Sequence, residues 1–454
     1  MLTILGLAMI VVFIALLAKK KLQVFVALTL VPLVFGFIAA AVGGHDLLDV
    51  FTWIQHGVFF KLNPETGKVA WGVIAPAVTI LFSIFYFDLM LNVGLFDPVA
   101  KFFIKQAKGD PLKVVLSTVA VASVVSLNGD TTTTIIICLA AFRALYQQLN
   151  LSMWVLAIII VAPIGIWNQL PWGGPTIAAA AALGVDLIAL FRHLLPGLLA
   201  AQVVVIIIAL RLGLKERKRL AFDPRSEASV GPEHIAEMLQ AITDKDPHLK
   251  RPKLFWVNLA ITMVGLTLLI MDLAHGAVVF LLLSAIGLVI NFPNVDEAST
   301  RIEEIAPDVL PTAIATLGAG VFSGVLTGSG MAAALAGSIA AIIPTALGSH
   351  MAPVYAIIAT PAITFLPQDA FYFGIASVLS GVMGEFGITP MQAAVASMVG
   401  QSFRLISPVI PALYLLCGET NQNFVSFQKK YLIWFWPILV TYLVVYGLTG
   451  AMPY

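Results

Sequence analysis

Apolar runs close to the length of a bilayer-spanning helix, about 20 residues, recur along the whole sequence and are separated by short polar islands. A helix hydrogen-bonds its own backbone, so each run can sit in lipid without orphaned N–H or C=O groups. The pattern predicts spans over 2–18, 22–42, 71–95, 154–190 (long and interrupted), 194–212, 254–271, 274–292, 355–382, 391–417 and 431–448. Lys19, Lys20 and Lys21 follow the first run rather than precede it, which reads as a retained helix with its N-terminus outside and its lysines in the cytoplasm. Nine of the 25 basic residues fall between Lys215 and Lys253, so this polar stretch is expected to be a cytoplasmic loop. It divides the chain into a first transmembrane repeat (1–213), a linker (214–253) and a second repeat (254–454). Lys101, Lys105, Lys108 and Lys113 mark a further cytoplasmic segment, and 42–70 is placed outside.

Two apolar segments carry glycine and hydroxyl clusters that plain spans lack. The first, 112–145, centres on Ser126-Leu127-Asn128-Gly129-Asp130 followed by Thr131, Thr132, Thr133 and Thr134; the second, 310–347, centres on Thr327-Gly328-Ser329-Gly330. Each reads as a re-entrant hairpin with a polar tip. Beyond each tip a proline interrupts an apolar run: Pro171 lies 42 residues after Gly129, and Pro367 lies 39 residues after Gly328. Shared order and spacing indicate an internal repeat, the usual build of secondary transporters. The expected fold is therefore an all-α polytopic membrane protein of two inverted repeats, each with a re-entrant hairpin and a broken transmembrane helix. The crossing count leaves one passage unassigned, and the amphipathic stretch 295–306 is where it is sought.

Composition agrees with the pattern. Of 454 residues 60% are hydrophobic and 11% charged, against about 25% charged in soluble domains, and the mean hydropathy is +0.98. A net charge of +1 offers no basic field for nucleic acid. Cys138 and Cys417 lie in apolar runs without metal-ligand spacing and read as buried, inert thiols.

The chemistry resides in the islands. A half-helix that starts inside the membrane points N–H groups and the positive end of its dipole into a cavity, favouring an anion, whereas freed carbonyls favour a cation. Asp130 and Asp369 each have two readings, a functional one as cation ligand or proton-carrying acid, and a structural one as cap of the helix that follows. Arg404 is the only basic residue between Arg301 and Lys429; it is read as gripping a substrate carboxylate, as pairing with Asp369 or Glu385, or as snorkelling to the interface. Asp88, Asp186 and Glu385, near helix ends, read as structural. Asn128-Gly129-Asp130 and Phe87-Asp88 faintly match an intramembrane aspartyl protease, but Leu127 and Phe87 break that motif on both sides.

Four strings together resemble the CitMHS family of citrate-metal/proton symporters within the ion transporter superfamily. They are residues 126–134, Pro171-Trp172-Gly173-Gly174-Pro175-Thr176, Gln368-Asp369-Ala370-Phe371-Tyr372-Phe373-Gly374, and residues 400–408. The resemblance implies proton-driven symport of citrate with a divalent cation, a dimer, and elevator-type movement. It carries Asn128 to Thr133 to the first tip, Pro171 to Thr176 to the first break, Gly328 to Gly330 to the second tip, and Gln368 with Asp369 to the second break. Asn128 stands where the family has an acidic residue, Ala178 and Val395 at or near family arginines, and Arg404 where it has a histidine; a different or smaller carboxylate stays open.

The resulting expectation is a cation-coupled carboxylate carrier of the inner (cytoplasmic) membrane, surrounded by lipid, with no tightly bound cofactor and no enzymatic activity. Protons or sodium would be co-transported, with a divalent cation accompanying the substrate. Substrate contacts are expected from Ser126, Asn128, Gly129, Thr131, Thr132, Thr133, Pro171, Trp172, Gly173, Gly174, Thr176, Gly328, Ser329, Gly330, Gln368 and Arg404. The cation is expected at Asn128, Asp130 and Asp369. A cation antiporter or anion efflux pump on the same fold is the alternative.

Overall fold

A computed structural model describes residues 1–19, 21–62, 69–98, 101–103, 110–129, 131–222, 248–271, 273–348, 350–366, 368, 370–408 and 410–453. The first half contains α1 (Leu2–Ala18), α2 (Val24–Gly43), α3 (Asp49–Val58), a hairpin of β1 (Phe60–Leu62) and β2 (Val69–Trp71), and α4 (Ile74–Asn92). It continues with α5 (Pro111–Val125), α6 (Thr131–Gln148), α7 (Met153–Trp167), α8 (Gly174–Leu183) and α9 (Leu187–Arg219). The second half holds α10 (Phe255–Ile270), α11 (Gly276–Asn291), α12 (Val295–Gly328), α13 (Met331–Ala340) and α14 (Met351–Phe365). A π-helical stretch Ala370–Ala376 leads into α15 (Ser377–Gly384), followed by α16 (Pro390–Met398), a 3-10 helix Val399–Ile406, α17 (Pro411–Glu419) and α18 (Phe424–Leu448). Among the described residues six helices are long and apolar enough to cross a membrane, in keeping with a multi-pass membrane protein.

The first hairpin is fixed at its base by charged groups. Asp110 caps α5 through the Leu112 amide at 3.0 Å and takes the Arg217 Nε–H at 2.7 Å. Burial alone would raise the Asp110 pKa, but the Arg217 guanidinium and the Leu112 amide hold it below the usual carboxylate value. At the other end of the hairpin the loop after α6 is held by the same turn of α9. Glu216 accepts from the Ser152 amide and hydroxyl, and Arg219 donates to the Asn150 carbonyl. Both ends of the α5–α6 pair therefore sit at the C-terminal end of α9, with the turn at 126–129 between them.

The second hairpin differs from its expectation. The stretch 295–306 is the beginning of α12, which runs 34 residues without interruption, about 51 Å at 1.5 Å per residue. The unassigned passage and the first arm of the hairpin are thus one helix, while the return arm α13 has only 10 residues. Nor is 391–417 a plain span: α16 passes into the 3-10 helix, and the axis bends by 42° before α17. The stretch 42–70, expected outside from its few basic residues, contains α3 and strand β1. Cys138 and Cys417 are buried free thiols, and Asp186 caps α9 through the Ala189 amide.

Gly320, Gly324 and Gly328 line one face of α12 at intervals of four residues, and α3 rests on them. A Cβ on Gly324 would lie 2.3 Å from the Trp53 carbonyl, and one on Gly57 would lie 2.1 Å from the Gly320 carbonyl. Bare backbone is what allows this close crossing. A Gly324→Ala variant is expected to lower the detergent-solubilised melting temperature and folded yield, since overpacking a fitted contact costs about 1–3 kcal/mol. Gly337→Ala, where an added Cβ meets nothing within 4 Å, should be neutral or slightly stabilising. Equal melting temperatures for the two would contradict the crossing.

Candidate functional site

The two polar tips share one backbone device. At the first, the 3-10 turn Ser126–Asn128 ends on Gly129 with φ 82° and ψ −3°, and the Gly129 amide donates to the Ser126 carbonyl at 3.1 Å. At the second, Gly330 has φ 78° and ψ 0° and donates to the Thr327 carbonyl at 3.1 Å. Left-handed backbone of this kind suits glycine. Ser126 is buried and donates to the Ser123 carbonyl, leaving its lone pairs for another donor. Thr131, Thr132 and Thr133 open α6, with Thr132 exposed and the other two half-buried. Ser329 is buried, donating to the Leu326 carbonyl and accepting from the Met331 amide, both at 3.4 Å. Asp130, Asp369, Pro367 and the Asn128 side chain lie outside the described residues.

The first tip rests on the first break. Trp172 Nε1 donates to the Leu127 carbonyl at 2.6 Å, and a Cβ on Gly129 would be 3.3 Å from Trp172 Cδ1. The indole stacks on Phe87 with centroids 4.2 Å apart, so one side chain ties tip, break and α4 together. Trp172→Phe keeps the stacking surface but removes the donor, leaving the Leu127 carbonyl unpaired at a cost of about 1–3 kcal/mol. A fall in uptake of roughly tenfold is expected, with little change in folded yield. Wild-type uptake would show that this bond does not hold the tip in the working protein.

After Trp172 the chain re-enters helix at Gly174. The N-cap Gly173 has no side chain to offer, so no side chain caps α8. Pro175 in the first turn has no N–H, so the amides of Gly174 and Thr176 are the donors this helix end presents. The partial positive charge of a helix N-terminus is therefore open to a ligand. Two buried oxygens of this segment, Gln169 Oε1 and Thr176 Oγ1, have no hydrogen-bond partner among the described residues. Pro171 is buried with Trp172.

The second half meets this helix end directly. A Cβ on Gly174 would lie 3.4 Å from Gln368 Nε2, so the two breaks touch. A cavity of about 370 Å³ lies here, bounded by Gly174, Ala178, Thr312, Thr316, Gln368 and Gln23, and its described lining side chains are uncharged. Thr312, Thr316 and Gln23 were absent from the sequence-predicted set; threonines four apart beside Pro311 were the available signal.

Arg404 stands behind the second break. The 3-10 helix that bears it is wedged between the ends of α7 and α14: Ser402 Oγ donates to the Gly165 carbonyl at 3.2 Å and Thr364 Oγ1 to the Phe403 carbonyl at 3.4 Å. Arg404 itself is half-buried and donates to the Ile363 carbonyl at 3.4 Å; it is not among the residues lining the cavity. The second tip contacts other parts of the fold. Gly328 packs on Trp53, and the atom nearest a Cβ on Gly330 is Leu2 Cδ1 at 3.8 Å. Thus the structure brings together the first tip, both breaks and the Arg404 segment, while the described contacts of the second tip are with α1 and α3.

Known proteins resemble the chain throughout. Residues 1–400 match the family model described as CitMHS, citrate transporter. A citrate transporter of Bacillus subtilis (strain 168) is 36% identical over 439 residues, which is 96% of this chain and 95% of that protein. The Mg(2+)/citrate complex secondary transporter of the same organism is 34% identical over 436 residues, with the same coverage of 96% and 95%. Among solved structures, the Alcanivorax borkumensis YdaH transporter aligns with a TM-score of 0.58 at 14% identity, covering 92% of this chain and 98% of its own. Neisseria gonorrhoeae MtrF, from a class of antimetabolite efflux pumps, aligns with a TM-score of 0.60 at 13% identity over 94% and 95%. At such identities these two structures speak to the fold alone.

Proposed function

This chain belongs to the CitMHS family of citrate transporters, and from that premise we propose that it is a secondary active symporter carrying citrate, or a close carboxylate, together with a divalent cation. The observation that carries the reading is the meeting of the uncapped α8 N-terminus with Gln368 of the opposite half. Amide donors and a partial positive charge there suit a carboxylate. The hydroxyls of Thr131 and Thr132 are proposed to hold further substrate oxygens, and Asn128, Asp130 and Asp369 the coupling cation; the Ser126 and Ser329 protons are already given to the Ser123 and Leu326 carbonyls. A neutral lining pays heavily to desolvate a trianion. Complexation with magnesium turns citrate into a monoanion, which such a lining and one arginine can hold more cheaply. The metal on this reading arrives as cargo.

The tie of both hairpin ends to one end of α9 supports a re-entrant α5–α6, and the matching glycine geometry at both tips supports an inverted repeat. Inner-membrane location, a homodimer, proton coupling and elevator movement belong to the same proposal. The test is uptake of labelled citrate and dicarboxylates into proteoliposomes, with and without magnesium or calcium, under imposed proton or sodium gradients. Magnesium-dependent citrate uptake driven by an inward proton gradient is expected. No gradient-dependent uptake of any of these carboxylates would reject the reading.

A further inference from the structure

At the end of α9 that leads into the basic linker, two lysines from different helices converge on one pair of indoles. Lys215 Nζ lies 5.9 Å from the Trp154 ring centre and 5.7 Å from that of Trp434, and Lys430 Nζ lies 5.2 Å from Trp154. The two indoles are stacked at 6.5 Å with 30° between their planes. One ammonium over an indole face is attracted by the ring quadrupole; a second over the same ring adds like-charge repulsion. Among the described residues, Lys430 donates to Gln422 Oε1 at 3.1 Å. Glu216, the sequence neighbour of Lys215, is engaged with Ser152 and Arg219. Where α7, α9 and α18 meet, two positive charges thus share one indole, and a bound anion would reconcile them.

Its position narrows the anion. Trp154, Trp434 and Lys430 are half-buried and Lys215 exposed, at the end of α9 whose following linker is basic and therefore cytoplasmic by charge bias. Indoles and lysines at this depth occupy the boundary between headgroups and acyl chains. We propose that this lysine–indole cluster binds the phosphate-bearing headgroup of an anionic phospholipid of the cytoplasmic leaflet. The phosphate sits between Lys215 and Lys430, and the glycerol and upper acyl carbons lie against Trp154 and Trp434. Because Ser152 and Glu216 pin the base of the first hairpin in the same place, the lipid braces the joint on which that hairpin stands.

The test uses the full chain in detergent, with lipid binding counted by native mass spectrometry and thermal unfolding followed in parallel. Phosphatidylglycerol is expected to bind about tenfold more tightly than phosphatidylcholine and to raise the unfolding midpoint. Inorganic phosphate should not reproduce the shift. Lys215→Gln combined with Lys430→Gln should abolish the preference, whereas the corresponding Lys→Arg pair should retain it; each single Gln variant, loss of which is severalfold, gives the same reading if the double variant fails to fold. Equal binding of the two lipids, an equal shift with inorganic phosphate, or an undiminished preference in the Gln variants would overturn the proposal.

Discussion

Gly173→Ala is expected to cut uptake on the order of 100-fold while the protein still inserts and folds. A Cβ at position 173 would lie 1.8 Å from the Asn168 carbonyl oxygen and 2.6 Å from its carbon. Both are backbone atoms, so no side chain can swing away to make room. The backbone of Gly173, φ −76° and ψ 135°, is open to any residue, so the demand for glycine here comes from space and not from handedness. The break must therefore re-form, and the α8 N-terminus moves relative to Gln368. A displacement near 1 Å at a binding constellation costs on the order of 100-fold. Gly174→Ala is the companion measurement: its added Cβ meets only the movable end of Gln368 at 3.4 Å, so a weaker apparent affinity is expected without loss of maximal rate. Wild-type uptake by Gly173→Ala would mean that the break has another shape in the working protein.

Arg404→Gln should raise the KM for the carboxylate roughly tenfold, through loss of a positive charge beside the second break and not of a direct bond, since Arg404 does not line the cavity. The guanidinium donates to the Ile363 carbonyl, two residues before α14 ends at Phe365, and so sets a fixed positive charge beside the second break. Arg404→Lys keeps the charge but loses the planar fork, and an intermediate KM is expected. Substrate-concentration series in proteoliposomes separate the outcomes. A cation antiporter on this fold would be indifferent to Arg404→Gln, so an unchanged KM would favour that alternative over a carboxylate carrier.

The first tip and first break could be read from the sequence because their residues dictate their own backbone. Gly129 ends the tip turn in the left-handed conformation, and Pro171, Gly173 and Pro175 forbid continuous helix between α7 and α8. The contact between Gly174 and Gln368 could not be read in this way, since it joins residues far apart in the chain and depends on how whole helices pack. Glycine was ambiguous for the same reason. Gly330 turns the chain, but Gly328, placed by its sequence neighbours at a ligand tip, is the last of a row of small residues that receives Trp53. The run 391–417 looked like a single span because hydropathy registers lipid compatibility and is blind to 3-10 winding and bends. That winding is what sets Arg404 against the end of α14 instead of along a straight helix.

The most direct measurement is a cryo-electron microscopy structure of the protein with citrate and magnesium. Ligand density is expected in the cavity between the first turn of α8 and Gln368, with a carboxylate oxygen within hydrogen-bonding distance of the Gly174 or Thr176 amide. Density confined to a different cavity, such as the one beside His56 and His275, with the space at Gly174 unfilled, would contradict the account.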